Sequence, residues 1–339
     1  MMTLRLTTMW PALAILALIG GPAPAASLDP SQIEKASLKD GDASGDTVSP
    51  AVVRLQILLD RARFSPGIID GRMGENVRKA VTAYARARDL SGGHMPPDLS
   101  AAALQQLSAA AEKPALRQYK LTESDVAGPF AERIPAQMED MKDLRALSYT
   151  GVTEKLAEQF HMSEELLTSL NPDKDFSVGT TIVVPDVQRD ESLAAVRRIE
   201  VNKGTQTLKA FGASDELLAV YPVTVGSEET PAPSGELEVT GVAKDPTYRY
   251  NPDYAFEGVE AREPFTIQPG PNNPVGLVWI ALSKEGYGIH GTPDPATISK
   301  SQSHGCIRLT NWDALELAGA VEKGVTVRFL EGKGADARE

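Results

Sequence analysis

The rhythm of apolar positions changes three times along the chain. Val52, Leu55 and Leu59 recur at helical spacing, and Val77, Val81 and Tyr84 repeat it after breaks at Pro66-Gly67 and Asp70-Gly71. Residues three and four apart share one helix face, so two amphipathic helices joined by a glycine-rich loop are predicted. Farther on, Thr153 opens a helix faced by Leu156, Ala157 and Phe160. Ser163 caps the next helix, which ends at Leu170-Asn171-Pro172. The following "GTTIVVPDV" reads as a strand. After about residue 195 the period falls to two, around Ile199 to Val201, Leu208 to Ala210 and Leu218 to Val220. The stretches "SGELEVTGVA", "LVWIALSKEGYGIHG" and "VTVRFLEG" continue this pattern. One helix, "WDALELAGAVEK", interrupts it, capped by Thr310 or Asn311 and stopped by Gly324.

The fold class is therefore multidomain. A small all-α unit spans 49–108, a small α+β unit spans 117–188, and a β-rich, sandwich- or barrel-like domain spans 195–332. Residues 26–48 are polar and aperiodic and read as a flexible linker. The Ala-rich stretch at 109–117 reads as a hinge, and 333–339 as a disordered tail.

The N-terminus alters the compartment. Arg5 precedes an uncharged apolar run from Met9 to Ile19, and Ala23-Pro24-Ala25 fits the small-x-small cleavage rule. Residues 1–25 read as a signal peptide, since the run is shorter than the roughly 20 residues that span a bilayer. The mature chain is expected to be exported. A formal charge of -12 argues against nucleic acid as a partner and against simple adhesion to an anionic surface.

Export sharpens the meaning of a single cysteine, because exported proteins commonly pair them. Cys306 lies in "IHGTPDPATISKSQSHGCIRLTNWD", among Gly, Ser and two of the four histidines. His94 and His161 fall in loop signals and read as solvated, with no chemistry assigned. A thiol is nucleophilic as the thiolate, which a nearby imidazole or a helix N-terminus favours. His290 ends a predicted strand, and Cys306 lies just before the capped helix. Gly305 lets a carbonyl approach the backbone, whose N–H groups are then available to an oxyanion. Two other readings stay open. Cys306 is packed and inert, or His290, His304 and Cys306 form a three-ligand metal site, the count of a catalytic zinc. No further carboxylate, Cys or His is spaced to complete such a site, so no metal or cofactor is expected.

The segment His290-Gly291, a gap, then Ser303-His304-Gly305-Cys306-Ile307-Arg308 closely resembles the signature of the YkuD-type L,D-transpeptidase catalytic domain. "PAPSGELEV" at 231–239 and "PNNPVG" at 271–276 fit the same family. The resemblance implies that Cys306 is the nucleophile and His290 the general base. It implies that the Gly291 carbonyl orients the imidazole, and that amides of His304, Gly305 and Cys306 hold the oxyanion. Arg308 would hold a substrate carboxylate or brace the loop, and Ser303 and His304 would shape the pocket. The helical unit resembles a peptidoglycan-binding domain through Leu55-Gln56, Phe64, Gly67, Asp70-Gly71, Gly74 and the stretch from Val81 to Tyr84. The α+β unit resembles a LysM module through Leu170-Asn171 and "GTTIVVP". Together these imply a periplasmic, wall-associated enzyme acting on peptidoglycan stem peptides and glycan, with tethered modules raising the local substrate concentration. It would expel a terminal D-Ala and pass the acyl group to an amine. An outer-membrane protein or lipoprotein is a second candidate acceptor. Water as acceptor would make it a carboxypeptidase, and loss of activity would leave a wall-binding scaffold. The loop from Asp245 to Glu263 carries four aromatics among charges and is a candidate lid.

Overall fold

A computed structural model describes residues 28–38, 47–90, 99–226, 231–252, 261–300 and 305–332. The expected signal peptide, His94, Ser303, His304, positions 253–260 of the candidate lid and the 333–339 tail lie outside the described residues. No helix among the described residues is long and apolar enough to cross a membrane.

The chain opens with α1 (Pro30–Lys35), α2 (Pro50–Arg61), α3 (Glu75–Ala87) and α4 (Leu99–Ala110). Ser49 caps α2 by accepting from the Ala51 amide, and Pro50 occupies its first position, where a missing N–H costs nothing. The expected face of α2, Val52, Leu55 and Leu59, packs with Val77, Val81, Tyr84 and the α4 residues Ala103, Leu104 and Leu107. Its opposite face is apolar too: Val53 and Ile57 enter a second core with Leu156, Phe160, Leu167 and Ile182. A helix with two apolar faces has to be covered on both. Gln56 is buried within it, and its amide grips the next loop: Oε1 accepts from the Gly71 amide at 2.7 Å, and Nε2 donates to Asp70 Oδ1 at 2.9 Å.

The second core belongs to β1 (Leu116–Lys120), α5 (Glu123–Val126), α7 (Val152–Gln159), α8 (Glu164–Leu170) and β2 (Thr181–Pro185), while the intervening α6 (Met138–Met141) buries no residue. β1 and β2 pair antiparallel. Ser163 caps α8 as expected. Asn171 ends that helix and joins it to β2, donating to the carbonyls of Leu167 and Val183 and accepting from the Val183 amide at 2.6 Å.

Two expected flexible segments are folded where they are described. Within the linker expected over 26–48, Asp29 caps α1 and Ile33 is fully buried in the second core. Glu34 accepts from the amides of Ala115 and Leu116. Six residues with one apolar anchor carry no period, which is why the pattern hides the helix. The hinge expected at 109–117 is strapped by Arg61, whose guanidinium donates to the carbonyls of Lys113 and Pro114.

The C-terminal part contains β3 (Arg198–Asn202), β4 (Thr207–Phe211), β5 (Leu217–Pro222), β6 (Thr224–Val225), β7 (Gly235–Lys244), β8 (Tyr248–Tyr250), β9 (Phe265–Ile267), β10 (Val278–Leu282), β11 (Gly288–His290), β12 (Ile307–Arg308), α9 (Asn311–Ala320) and β13 (Thr326–Leu330). One sheet runs β5-β4-β3-β13-β7-β10-β11-β12-β6, while β8 and β9 form a separate hairpin. Its two edge strands, β5 and β6, are separated along the chain by Val223 alone. The sheet therefore curls until its edges nearly meet, which gives the near-barrel expected for this region. Alternation points Ile199, Val201, Leu208, Val278, Ile280, Ile289, Ile307 and Val327 inward onto Leu317 of α9. Each such fully buried side chain contributes about 1.5–3 kcal/mol.

The loop between α2 and α3 joins both neighbours. Val220 of β5 donates to the Arg63 carbonyl, and the Ser65 amide donates to the Val220 carbonyl, each at 2.8 Å. Ile69 exchanges backbone bonds with His161 and Ser163 at 2.8 and 3.0 Å. Beside this loop lies an ionic cluster centred on the fully buried Asp60. Asp60 accepts from His161 Nδ1 and from Arg189 Nη2, both at 3.0 Å. Arg189 also reaches Glu316 at 3.0 Å, which accepts from Arg63 at 3.2 Å and from the Tyr221 hydroxyl at 2.8 Å. Ser65 donates to Asp313 at 2.8 Å. His161, expected to be solvated, is instead bound to Asp60 and stacked on Trp312 of α9, with ring centroids 5.0 Å apart and planes 9° apart. Loop position told nothing about the module packed over it. The expectation of tethered modules gives way with it, because both units are docked onto the β domain through this junction.

Candidate active site

Two short strands carry the residues of interest. β11 and β12 pair in parallel, with Ile289 opposite Ile307 and His290 opposite Arg308. Side chains alternate across a strand, so Ile289 and Ile307 face the core while His290 and Arg308 share the other face. Cys306 lies in the bend just before β12, where its thiol reaches the Gly286 carbonyl and the Gly288 backbone, Gly288 being two residues before His290 on β11. Gly288 has no side chain to intrude between them, and a Cβ there would meet the Trp279 indole at 2.5 Å.

His290 is buried and held in one orientation. Its Nδ1 lies 2.7 Å from the Gly291 carbonyl. A carbonyl oxygen only accepts, so Nδ1 carries the proton and Nε2 is left as the base. Trp279, opposite His290 across β10 and β11, stacks on the imidazole with centroids 5.5 Å apart. Burial, and to a lesser degree the Arg308 charge, lower the imidazole pKa to about 3.

Cys306 is half-buried and in no disulfide. Its Sγ donates to the Gly286 carbonyl at 3.6 Å. Burial pushes the thiol up, against smaller opposing effects from a Gly288 backbone bond and Arg308. The resting pair is thus a neutral thiol beside a neutral imidazole. Gly305 adopts φ +97°, a region an L residue rarely enters, which turns the backbone immediately before the thiol. Among the described residues, the buried Nε of Arg308 has no hydrogen-bond partner. A guanidinium N–H left unused beside Cys306 is suited to an incoming carboxylate. Tyr248 of the β8 hairpin stands near enough that Cys306, once ionised, adds to burial in raising its hydroxyl pKa.

His290 and Arg308 thereby share one face, with Gly291 directly after His290 and Gly305-Cys306 directly before β12, whereas Ser303 and His304 lie outside the described residues. Sequence reasoning passed over Trp279 and Gly288. Pairing the strands on either side of "SKEGYG" would have set Trp279 opposite His290. It also passed over Asn311 as anything more than a helix cap. Among the described residues, no group of three or more His, Cys, Asp and Glu is placed to hold a metal ion.

The C-terminal part of the chain is similar to known proteins. The YkuD family, the L,D-transpeptidase catalytic domain, matches residues 196–328. YkuD of Bacillus licheniformis is 32% identical over 177 residues, covering 51% of this chain and 90% of that protein. YkuD of Bacillus subtilis is 31% identical over 174 residues, with 51% and 89% covered. YbiS of Escherichia coli is 25% identical over 196 residues, with 54% and 61% covered. The solved L,D-transpeptidase of Stackebrandtia nassauensis aligns with a TM-score of 0.31 at 17% identity, over 42% of this chain and 60% of that one. On the sequence matches to the two YkuD proteins, whose lengths it covers almost entirely, the chain belongs to the YkuD-type L,D-transpeptidase family.

Proposed function

We propose that this chain is an exported, periplasmic cysteine acyltransferase that remodels peptidoglycan stem peptides. Cys306 is the nucleophile and His290 Nε2 the base. As sulfur attacks the amide carbonyl after the third stem residue, its proton passes to Nε2. The tetrahedral oxyanion is held by backbone amides at Gly305 and Cys306, with His304 the third donor. Each donor of this kind is worth about 100–1000-fold in rate. Collapse breaks the C–N bond, and His290 returns its proton to the departing D-Ala amine. An amine of a second stem peptide then attacks the thioester and regenerates the thiol. Arg308 binds a substrate carboxylate.

The observations that support this reading are the packing of Cys306 against the β11 backbone, Arg308 opposite His290 on the paired strand, and the Nδ1 proton engaged by the Gly291 carbonyl. A neutral resting pair suits attack coupled to proton transfer, because neither charge then has to be desolvated before substrate arrives. We further read 49–108 as a peptidoglycan-binding module and 117–188 as a LysM-like module.

The test is incubation of the chain from residue 26 with tetrapeptide stems, followed by mass spectrometry. Released D-Ala together with stem dimers supports transpeptidation. D-Ala without dimers identifies water as the acceptor, and no D-Ala leaves a non-catalytic scaffold. Cys306→Ala is expected to abolish release, a loss of at least about 1000-fold.

A further inference from the structure

Asn311 does more than begin α9. It is fully buried, and its side-chain amide is used at both ends. Oδ1 accepts from the Leu277 amide at 3.1 Å. Nδ2 donates to the Pro271 carbonyl at 3.2 Å and to Glu158 Oε2 at 3.0 Å. The amide is wedged against two glycine backbones. A Cβ on Gly276 would lie 2.0 Å from Oδ1, and one on Gly291 would lie 2.1 Å from it. Gly291 is the residue whose carbonyl takes the Nδ1 proton of His290. Asn311 therefore buttresses the peptide that fixes the imidazole.

Glu158 does not belong to the β domain. It lies on α7, and its other oxygen accepts from the Tyr149 hydroxyl at 2.9 Å. One turn earlier on α7, Glu154 Oε1 accepts from the side chain of Asn272 at 2.7 Å. The Asn272 amide also donates to the Leu147 carbonyl, and the Leu147 amide to the Pro269 carbonyl. Two carboxylates at i and i+4 thus face the β domain together and hold the 269–273 loop and Asn311 from outside. Glu158 is the one in line with the imidazole, through Asn311 and Gly291.

From this geometry we infer that Glu158 is a positioning residue for the transferase reaction, acting through Asn311 and the Gly291 carbonyl on His290. The α+β unit is then part of the scaffold of the reactive face, in addition to any glycan it holds. This rests on the reading of Cys306 and His290 given above. The groups facing Glu158 are Tyr149, Glu154 and Asn311, and burial together with Glu154 raises its pKa to about 7 against the hydrogen bonds from Asn311 and Tyr149. Near neutrality it passes from a neutral acceptor to a charged one. Charge-assisted bonds are stronger, so the Asn311 wedge tightens as pH rises through this range.

The measurement is the rate at which a carbapenem, used as acylating probe, adds to Cys306 in the full exported chain, followed by intact mass from pH 5.5 to 8.5. Glu158→Ala is expected to slow acylation by about 100-fold, the cost of a misplaced catalytic group, with little change in the half-saturating carbapenem concentration. Glu158→Gln keeps an acceptor for Asn311 and is expected to stay within a few-fold of wild type while losing the inflection near pH 7. Tyr149→Phe spares the core packing, removes a bond that lowers the Glu158 pKa, and is expected to move that inflection upward. A folded Glu158→Ala acylated at the wild-type rate overturns the inference. So does an unmoved inflection in Glu158→Gln and Tyr149→Phe, which also decides the matter if the alanine variant does not fold. Wild type that takes no adduct, or an adduct that persists in Cys306→Ala, instead overturns the nucleophile assignment.

Discussion

The reactive face and the docking junction both bury ionisable groups, and they treat them oppositely. At the junction every charge is paired more than once: Asp60 takes His161 and Arg189, and Glu316 takes Arg189, Arg63 and Tyr221. At the candidate site, among the described residues, His290 is held by the Gly291 carbonyl, the thiol by the backbone of Gly286 and Gly288 and by no carboxylate or cation bond, and Arg308 Nε has no partner. The pKa directions follow. Paired Asp60 is held below the usual carboxylate range by His161 and Arg189 despite its burial. Burial governs His290 and Cys306 and leaves both neutral. Buried charges that satisfy one another hold a structure together, while buried groups left underused are available for chemistry.

The sharpest way to break this contrast is His290→Gln. If the reactive face is a machine and not a packing unit, the variant melts like wild type and loses about 100- to 10,000-fold in carbapenem acylation. Equal loss of stability and rate would make the two regions alike. The converse test lies at the junction. Asp60→Ala leaves Arg189 and His161 facing a void, and removing one partner of a buried ionic pair costs about 3–5 kcal/mol. Urea titration is expected to show that loss, with both N-terminal units loosening from the β domain before the sheet unfolds.

The smallest effect tests the exception within the junction. Asp313 has only neutral donors, Ser65 and Thr310, and burial with the nearby Asp60 charge raises its pKa to about 8. It stays protonated in the folded state at pH values where the unfolded chain has released that proton. The folded state then binds more protons, so this group's contribution falls as pH rises from about 4 to about 8. Asp313→Asn is expected to flatten the decline, so that melting temperatures of variant and wild type converge near pH 4 and the variant gains relative stability toward pH 8. Parallel curves would show that Asp313 is charged and paired like its neighbours.

Much of the reactive face was legible beforehand, since it is local in sequence. Two- and three-residue strands carry Arg308 and His290, alternation fixes their facing once the strands are known to pair, and Cys306 lies in the bend just before the shorter one. Caps such as Ser163 and Thr310 were equally legible, because a side chain two or three positions from an orphan amide has few alternatives. The junction was not. Val53 and Ile57 lie on α2 beside the visible stripe, and their apolar character had a reason only once a second unit packed there. His161 looked like a loop residue because Asp60 and Trp312 are distant in sequence. α4 was missed for a related cause: an alanine-rich helix has a weak stripe, and Ala103, Leu104 and Leu107 gain meaning from α2 and α3. Asn311 was read from its neighbours in sequence as a cap, while its bond to Glu158 crosses from one unit to the next.

Val223 joins the two ends of the curled sheet, and this has a mechanical side. Val220, three residues before it, is bonded to Arg63 and Ser65 of the helical unit. Val225, two residues after it, is paired with Ile307, the neighbour of the thiol-bearing residue. Six residues of backbone therefore link the helical unit to the strand beside the sulfur, so a shift of that unit has only a short run of chain to cross before it meets the neighbour of Cys306.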